Sequence, residues 1–256
     1  MQLKKRTATS PGKRHQIKQN PVSFSKNNKI LKNNFTINTS CGRSKQTGHI
    51  TVRHKGGGKK IKIKKLNKFF ETHTLILLVT LYDYNSNKII NIVFNPFTKK
   101  LFLTNHTHNT FIGFILLQSI NTDCLNEGNS LTLNQIPAGS LVHSLTKKNK
   151  QILAKAPGTF GQIIQKNKKI CKIRVPSGQI LDFSLKNVAT LGSNSNKNHN
   201  FCKIGKAGIN RNKNIRPSVR GIAMNPVDHP HGGRSNGGKQ PTTPWGKLTK
   251  GVKTKK

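Results

Sequence analysis

The chain has 256 residues and carries 46 lysines and arginines against 6 aspartates and glutamates, a formal net charge of +40 at pH 7. That length suits one or two small domains with extensions, and self-repulsion at that charge argues against a free compact globule and for a polyanionic partner such as nucleic acid, whose counterions are released when Lys and Arg bind. No apolar run approaches the ~20 residues of a membrane span, and the stretch Met1 to Arg6 lacks the apolar centre of a secretory signal.

The charge is segregated along the chain. Residues 1–68 hold 19 basic and no acidic side chains, residues 69–145 hold 3 basic and 4 acidic, and residues 146–256 hold 24 basic and 2 acidic. A near-neutral block thus lies between basic arms, as expected of a folded core that threads cationic extensions into nucleic acid. The first arm, about 1–68, is rich in Lys, Asn and Gly; taken alone its composition predicts disorder, with 18–40 an irregular polar connection.

From about Phe69 the pattern changes. Leu75–Leu81, Ile89–Phe94 and Leu101–Leu103 are short apolar runs separated by Asn85-Ser-Asn87 and Asn95-Pro96. Phe111–Leu117 follows, and the stretch 111–120 is ambiguous between strand and helix. Short strands at close spacing predict a small β-barrel over 69–129.

A second set begins near Leu131 and takes in 139–143, 151–154, 159–164, 169–175 and 179–183. Residues 169–175 largely alternate polar and apolar, as a half-buried strand does, and Pro176-Ser-Gly178 is a hairpin turn. This set predicts a second small barrel over 130–191. From 192 to 256 the chain is again polar, basic and glycine-rich, with Arg211, Arg216, Arg220 and Arg234 close together. Arginine offers planar multi-donor binding to phosphate, and glycine lets backbone approach a ligand. Both arms are expected to be disordered in isolation and to take a fixed shape only inside folded RNA.

The four cysteines, Cys41, Cys124, Cys171 and Cys202, form no Cys-x-x-Cys pair, so zinc-finger spacing is absent and isolated thiols in a reducing compartment are expected. His106-Thr-His108 has no nearby carboxylate or thiol to complete a metal site. Arg53–Gly58 lacks the Gly-Lys-Ser/Thr ending of a nucleotide-binding P-loop. Asp228-His229 is an awkward base dyad, because neighbours in extended chain face opposite ways, and no nucleophile motif accompanies it. No catalytic residue and no metal or other cofactor is assigned, apart from RNA-associated Mg or K ions, and an enzyme is not expected. A nonspecific packaging protein is disfavoured by the neutral block.

Three stretches carry a family resemblance: Arg53-His-Lys-Gly-Gly-Gly-Lys-Lys60, Ala156-Pro-Gly-Thr-Phe160, and Arg216–Gly233 followed by Pro241-Thr-Thr-Pro-Trp-Gly246. Together with Thr9–His15, Pro137–His143 and Ala189–Gly192, in this order, they resemble the second protein of the large ribosomal subunit in its bacterial and organellar form. The resemblance covers nearly the whole chain. It implies an all-β chain with an OB-like barrel, then an SH3-like barrel, and long basic irregular N- and C-terminal extensions embedded in RNA. It also implies binding to large-subunit rRNA, support for assembly of the peptidyl transferase region and a part in joining the subunits. Other ribosomal proteins and the small subunit are implied partners; no membrane is.

The residues assigned to RNA contact are Arg43, Arg53, His54, Lys55, Gly56, Gly57, Gly58, Lys59, Lys60, Lys206, Arg211, Arg216, Arg220, Met224, Asn225, Asp228, His229, His231, Gly232, Gly233, Arg234, Lys239 and Trp245. The sequence departs from the family where Asn212 replaces the usual Trp before the Arg-Pro segment, and where Arg234 directly follows His-Gly-Gly without Gly-Glu-Gly. Lys and Asn make up 66 of the 256 residues, a bias of A/T-rich genomes. With a family match that begins near the first residue, this leads to an organelle-encoded protein of the mitochondrial matrix as the expected location; a plastid or a bacterial cytoplasm is the alternative.

Overall fold

The computed structural model describes residues 3–19, 35–38, 42–59, 61–64, 66, 73–83, 86–118, 124–147, 150–234 and 239–251. The chain divides into two compact units: residues 1–39 with 60–209, and residues 40–59 with 210–256. Both are assembled from segments distant in sequence.

The first unit is built on a ten-stranded sheet. Strands β5 (His73–Asp83), β6 (Lys88–Asn95), β7 (Lys100–Asn105) and β8 (Ile115–Gln118) form its near-neutral part, with β5 pairing antiparallel to both β6 and β8. The ambiguous run 111–117 resolves into a turn at Phe111–Phe114, closed by the Phe114 amide on the Phe111 carbonyl (3.1 Å), before β8 begins. Gly113, at φ 88°, lies in that turn.

A bulge in β5 decides how this part packs. Leu77 pairs with Val93, but Val79 pairs with Ile92, so one extra residue, Leu78, enters the strand. Side chains alternate along a strand, so an inserted residue moves the following ones to the other face. Leu75 and Leu77 accordingly pack with Val93 and Leu116, whereas Leu81 packs with Ile90, Ile92 and Leu103. Strand β6 is thereby buried on both faces, in keeping with a sequence that is apolar from Ile89 to Phe94 except for buried Asn91.

The second set comprises β9 (Ser130–Thr132), β10 (Leu141–His143), β13 (Gly161–Lys166), β14 (Ile170–Arg174), β15 (Ile180–Ser184) and β16 (Val188–Leu191). The alternation read at 169–175 appears as buried Cys171 and Ile173 between exposed Ile170, Lys172 and Arg174. Their buried faces join Leu131, Leu133, Ile136, Val142, Leu145, Ile163 and Phe183 in one core. A hairpin of β11 (Leu145–Lys147) and β12 (Lys150–Leu153) flanks it. The two sets share one sheet through a single parallel register, Gln118 with Ser130.

A polar seam lies where the sets meet. The Lys88 ammonium donates to Asn105 Oδ1 (2.7 Å), and the Asn105 amide donates to Ser144 Oγ (2.9 Å). His143, fully buried, meets Ser144 Oγ through Nδ1 (3.0 Å) and Thr107 Oγ1 through Nε2 (2.9 Å). His106 Nδ1 meets Thr110 Oγ1 at 3.1 Å. Burial, reinforced by neighbouring positive charge, pushes His143 down to about 3 and His106 to about 4, so both rings are neutral at pH 7. Burial also lowers Lys88 to about 8, against the attraction of Asp83.

The described parts of the first arm carry secondary structure that composition alone does not signal. Strands β1 (Leu3–Lys5) and β2 (Ile17–Gln19) pair around helix α1 (Pro11–Arg14), and Ile17 bridges to Lys203. Strand β3 (Phe35–Asn38), inside the stretch read as irregular, pairs with β4 (Ile61–Lys64). These partners are tens to hundreds of residues away, so local composition carries no sign of them. Of the described residues, no helix is long and apolar enough to cross a membrane.

Two outcomes are expected. Leu131→Ala empties part of a fully buried site and should cost about 2–5 kcal/mol in denaturant unfolding. Because His106 and His143 are lowered in the folded state, the unfolded chain binds more protons below pH 6.5. Stability is therefore full above pH 6.5 and falls as the pH drops toward 4, by about 1.4 kcal/mol per pH unit for each ring. Circular dichroism across an acid titration should show a shallower fall for His143→Gln.

Candidate nucleic-acid interface

The second unit brings residues 40–59 beside 210–256. Together these stretches contain 16 basic residues and one acidic residue, Asp228. Backbone pairing joins them. Lys55 bridges to Ile215, the Gly56 amide donates to the Asn214 carbonyl (2.9 Å), and the Arg216 amide donates to the His54 carbonyl (2.9 Å). His54, at φ 60°, sits in the left-handed region and turns the chain there.

The glycines of Arg53–Gly58 serve close approach. A Cβ on Gly58 would lie 2.6 Å from the Asn214 nitrogen and 2.7 Å from the Arg211 carbonyl oxygen, so no side chain fits. Arg211 lies along the same loop, with its guanidinium reaching toward the Gly56 carbonyl at 3.5 Å. Arg43, Arg53, His54, Lys55 and Lys59 are exposed around it, as are Arg216 and Arg220. The Arg53 guanidinium stands over the Trp245 ring at 5.5 Å from its centroid, while the indole remains 76 % exposed.

The 221–233 segment is a compact turn built around His229. The ring is buried and packs onto Gly221, where a Cβ would meet its atoms at 2.6–2.7 Å. His229 Nδ1 accepts the His231 amide (3.0 Å), so that nitrogen is occupied within the turn. Burial, with the charges of His231 and Arg53, holds the His229 pKa below its ordinary value. The two imidazoles stand 4.7 Å apart, and His231 Nε2 accepts the Thr242 amide (3.1 Å). A Cβ on Gly232 would collide with the carbonyl groups of Asn225 and Met224. The Lys239 ammonium donates to the Pro230 carbonyl (3.1 Å). Asp228 is exposed.

The structure thus gathers most of the sequence-assigned residues in one unit, from Arg43 to Lys59 and from Arg211 to Trp245. Lys206 belongs instead to the first unit, where its aliphatic stem runs over Gly12. Lys60 lies outside the described residues. The sequence reading missed the apolar residues among these cations: Ile50, Val52 and Val219 border a cavity of about 280 Å³ with Met224. Their alternation at 50 and 52 is the one local sign of it. A cavity of about 510 Å³ in the first unit is lined by His106, His108, Phe111 and Ile112 among others. In the described part of the chain, no group of three or more His, Cys, Asp or Glu side chains is placed to hold a metal ion.

The family model of the C-terminal domain of ribosomal proteins L2 matches residues 126–246. The large ribosomal subunit protein uL2 of Blochmanniella floridana is 34 % identical over 264 residues, an alignment covering 100 % of this chain and 94 % of that protein.

Gly58→Ala is expected to separate the 53–58 loop from 211–214. Hydrogen exchange on the full chain should show faster exchange of the Gly56 and Arg216 amides, with the Ile163 amide in the first unit unchanged.

Proposed function

The chain belongs to the uL2 family and is a structural constituent of the large ribosomal subunit, and from that premise we propose that it binds large-subunit rRNA chiefly through its second unit. The observation that supports this reading is that two segments distant in sequence, 40–59 and 210–251, bring 13 cations and a single carboxylate among their described residues onto one framework of backbone hydrogen bonds. Such a surface neutralises phosphates and releases their counterions. Its arginines favour planar phosphate contacts, while the exposed Trp245 suits stacking on a base.

In this reading the near-neutral strands 73–118 form an OB-like barrel and the strands from 130 to 191 an SH3-like barrel, two rigid platforms from which the basic segments extend. The protein supports assembly of the peptidyl transferase region and association of the subunits, with rRNA, other ribosomal proteins and the small subunit as partners. Mg or K ions near it belong to the rRNA. The role is structural rather than catalytic, which accords with the His229 nitrogen being engaged by the turn's own backbone. The Lys/Asn bias suggests an A/T-rich genome such as that of an organelle, and the bacterial relative supports a bacterial or plastid ribosome.

Sedimentation tests the reading. The tagged chain is expected to comigrate with large subunits and to remain there at high salt, whereas a nonspecific polycation loses binding steeply as salt rises. Arg220→Ala should lower the yield of mature large subunits more than Lys256→Ala; equal yields would count against the role given to the 216–233 segment.

A further inference from the structure

The 280 Å³ cavity of the second unit has a composition that phosphate binding alone does not explain. Its rim carries Arg43, Arg53, Lys55 and Arg216. Its apolar lining comes from both segments: Ile50 and Val52 from one, Val219 and Met224 from the other. Ile50, Val52 and Val219 are 60 %, 47 % and 57 % exposed, a cluster of aliphatic groups open to solvent amid cations. A backbone contact with an RNA duplex would engage the rim and leave these groups wet, since duplex bases are stacked inside the helix.

The cleft is held by main-chain contacts. The Thr51 and Val52 amides both donate to the Gly42 carbonyl at 3.0 Å. A Cβ at Gly42, whose φ is 70°, would stand 2.6 Å from the Val52 carbonyl oxygen. The 54–56 and 214–216 bonds fasten the opposite segment. Arg53 is further oriented by its stack on Trp245.

We propose that this cleft receives one unpaired nucleotide of the large-subunit rRNA, its base inserted against Ile50, Val52 and Val219 and its flanking phosphates on the rim cations. An unstacked nucleotide is the partner whose chemistry matches both halves: a flat, weakly polar face and an anionic backbone on either side. The volume lies just under the range of about 300–1,000 Å³ typical of small-molecule pockets, which suits a single base. The cleft supplies no carboxylate, so a cationic partner is disfavoured. The proposal rests on the rRNA-binding reading and adds base insertion to it.

Ultraviolet cross-linking of large subunits containing the full chain, followed by mass spectrometry of nucleotide-bearing peptides, tests it. A nucleotide adduct is expected within 50–53 or 217–224. In subunits carrying Val219→Trp, which fills the cleft, that adduct should be lost and one unpaired rRNA base should become reactive to dimethyl sulfate. Should Val219→Trp not be incorporated, Ile50→Asp on the other segment is expected to give the same pair of changes. Adducts elsewhere on the chain but none in the cleft, or rRNA reactivity unchanged by an incorporated variant, would overturn base insertion while leaving rRNA binding intact. A cross-link from the cleft to an acidic protein segment would overturn it as well. If no residue of the wild-type chain cross-links to rRNA, the rRNA-binding reading itself falls.

Discussion

Mutual repulsion among the cations of the second unit sets the terms for everything built there. With 13 cations and one carboxylate among its described residues, the unit is held largely by main-chain bonds and close packing rather than by pairs of opposite charge. Backbone bonds join 54–56 to 214–216, glycines permit contact at Gly58 and Gly232, an imidazole packs on Gly221, and an arginine stacks on Trp245. With cohesion coming largely from main chain and small residues, Arg43, Lys55, Arg216 and Arg220 stay exposed.

The first unit resolves the opposite problem. Its apolar content is enough for conventional cores, and its charges are sparse in 73–118. The difficult place is the seam between the two β sets, where Lys88, Asn105, His106 and His143 are buried. Each is given a hydrogen-bonding partner, and the histidines are held neutral by burial. A seam of this kind is directional in a way an apolar contact is not, and it fixes one arrangement of the strands that meet there.

Local patterns carried the strands well. Leu75–Leu81, Ile89–Phe94 and 169–175 fall on β5, β6 and β14, because alternation or an unbroken β-branched run is a property of neighbouring residues. Strands β11 and β16 are short and partly polar and were not read as strands. The bulge at Leu78 was equally hidden: an apolar run reads the same with one residue more or less, and only pairing with β6 reveals the change of face. The stretch 18–40 was read as irregular because the partner of Phe35–Asn38 lies beyond it, at Ile61–Lys64.

The sequence by itself determined the family, the all-β class and the segregation of charge, since these depend on composition and on short ordered motifs. Only the tertiary structure decided that 40–59 and 210–256 form one unit, that Lys206 stands apart from it, and that Ile50, Val52 and Val219 converge on a single cleft. The physical reason is the range of the interactions. Alternation and turn chemistry act over a few residues, whereas the Lys55–Ile215 bridge joins groups 160 positions apart, and its closure is set by the folded chain as a whole.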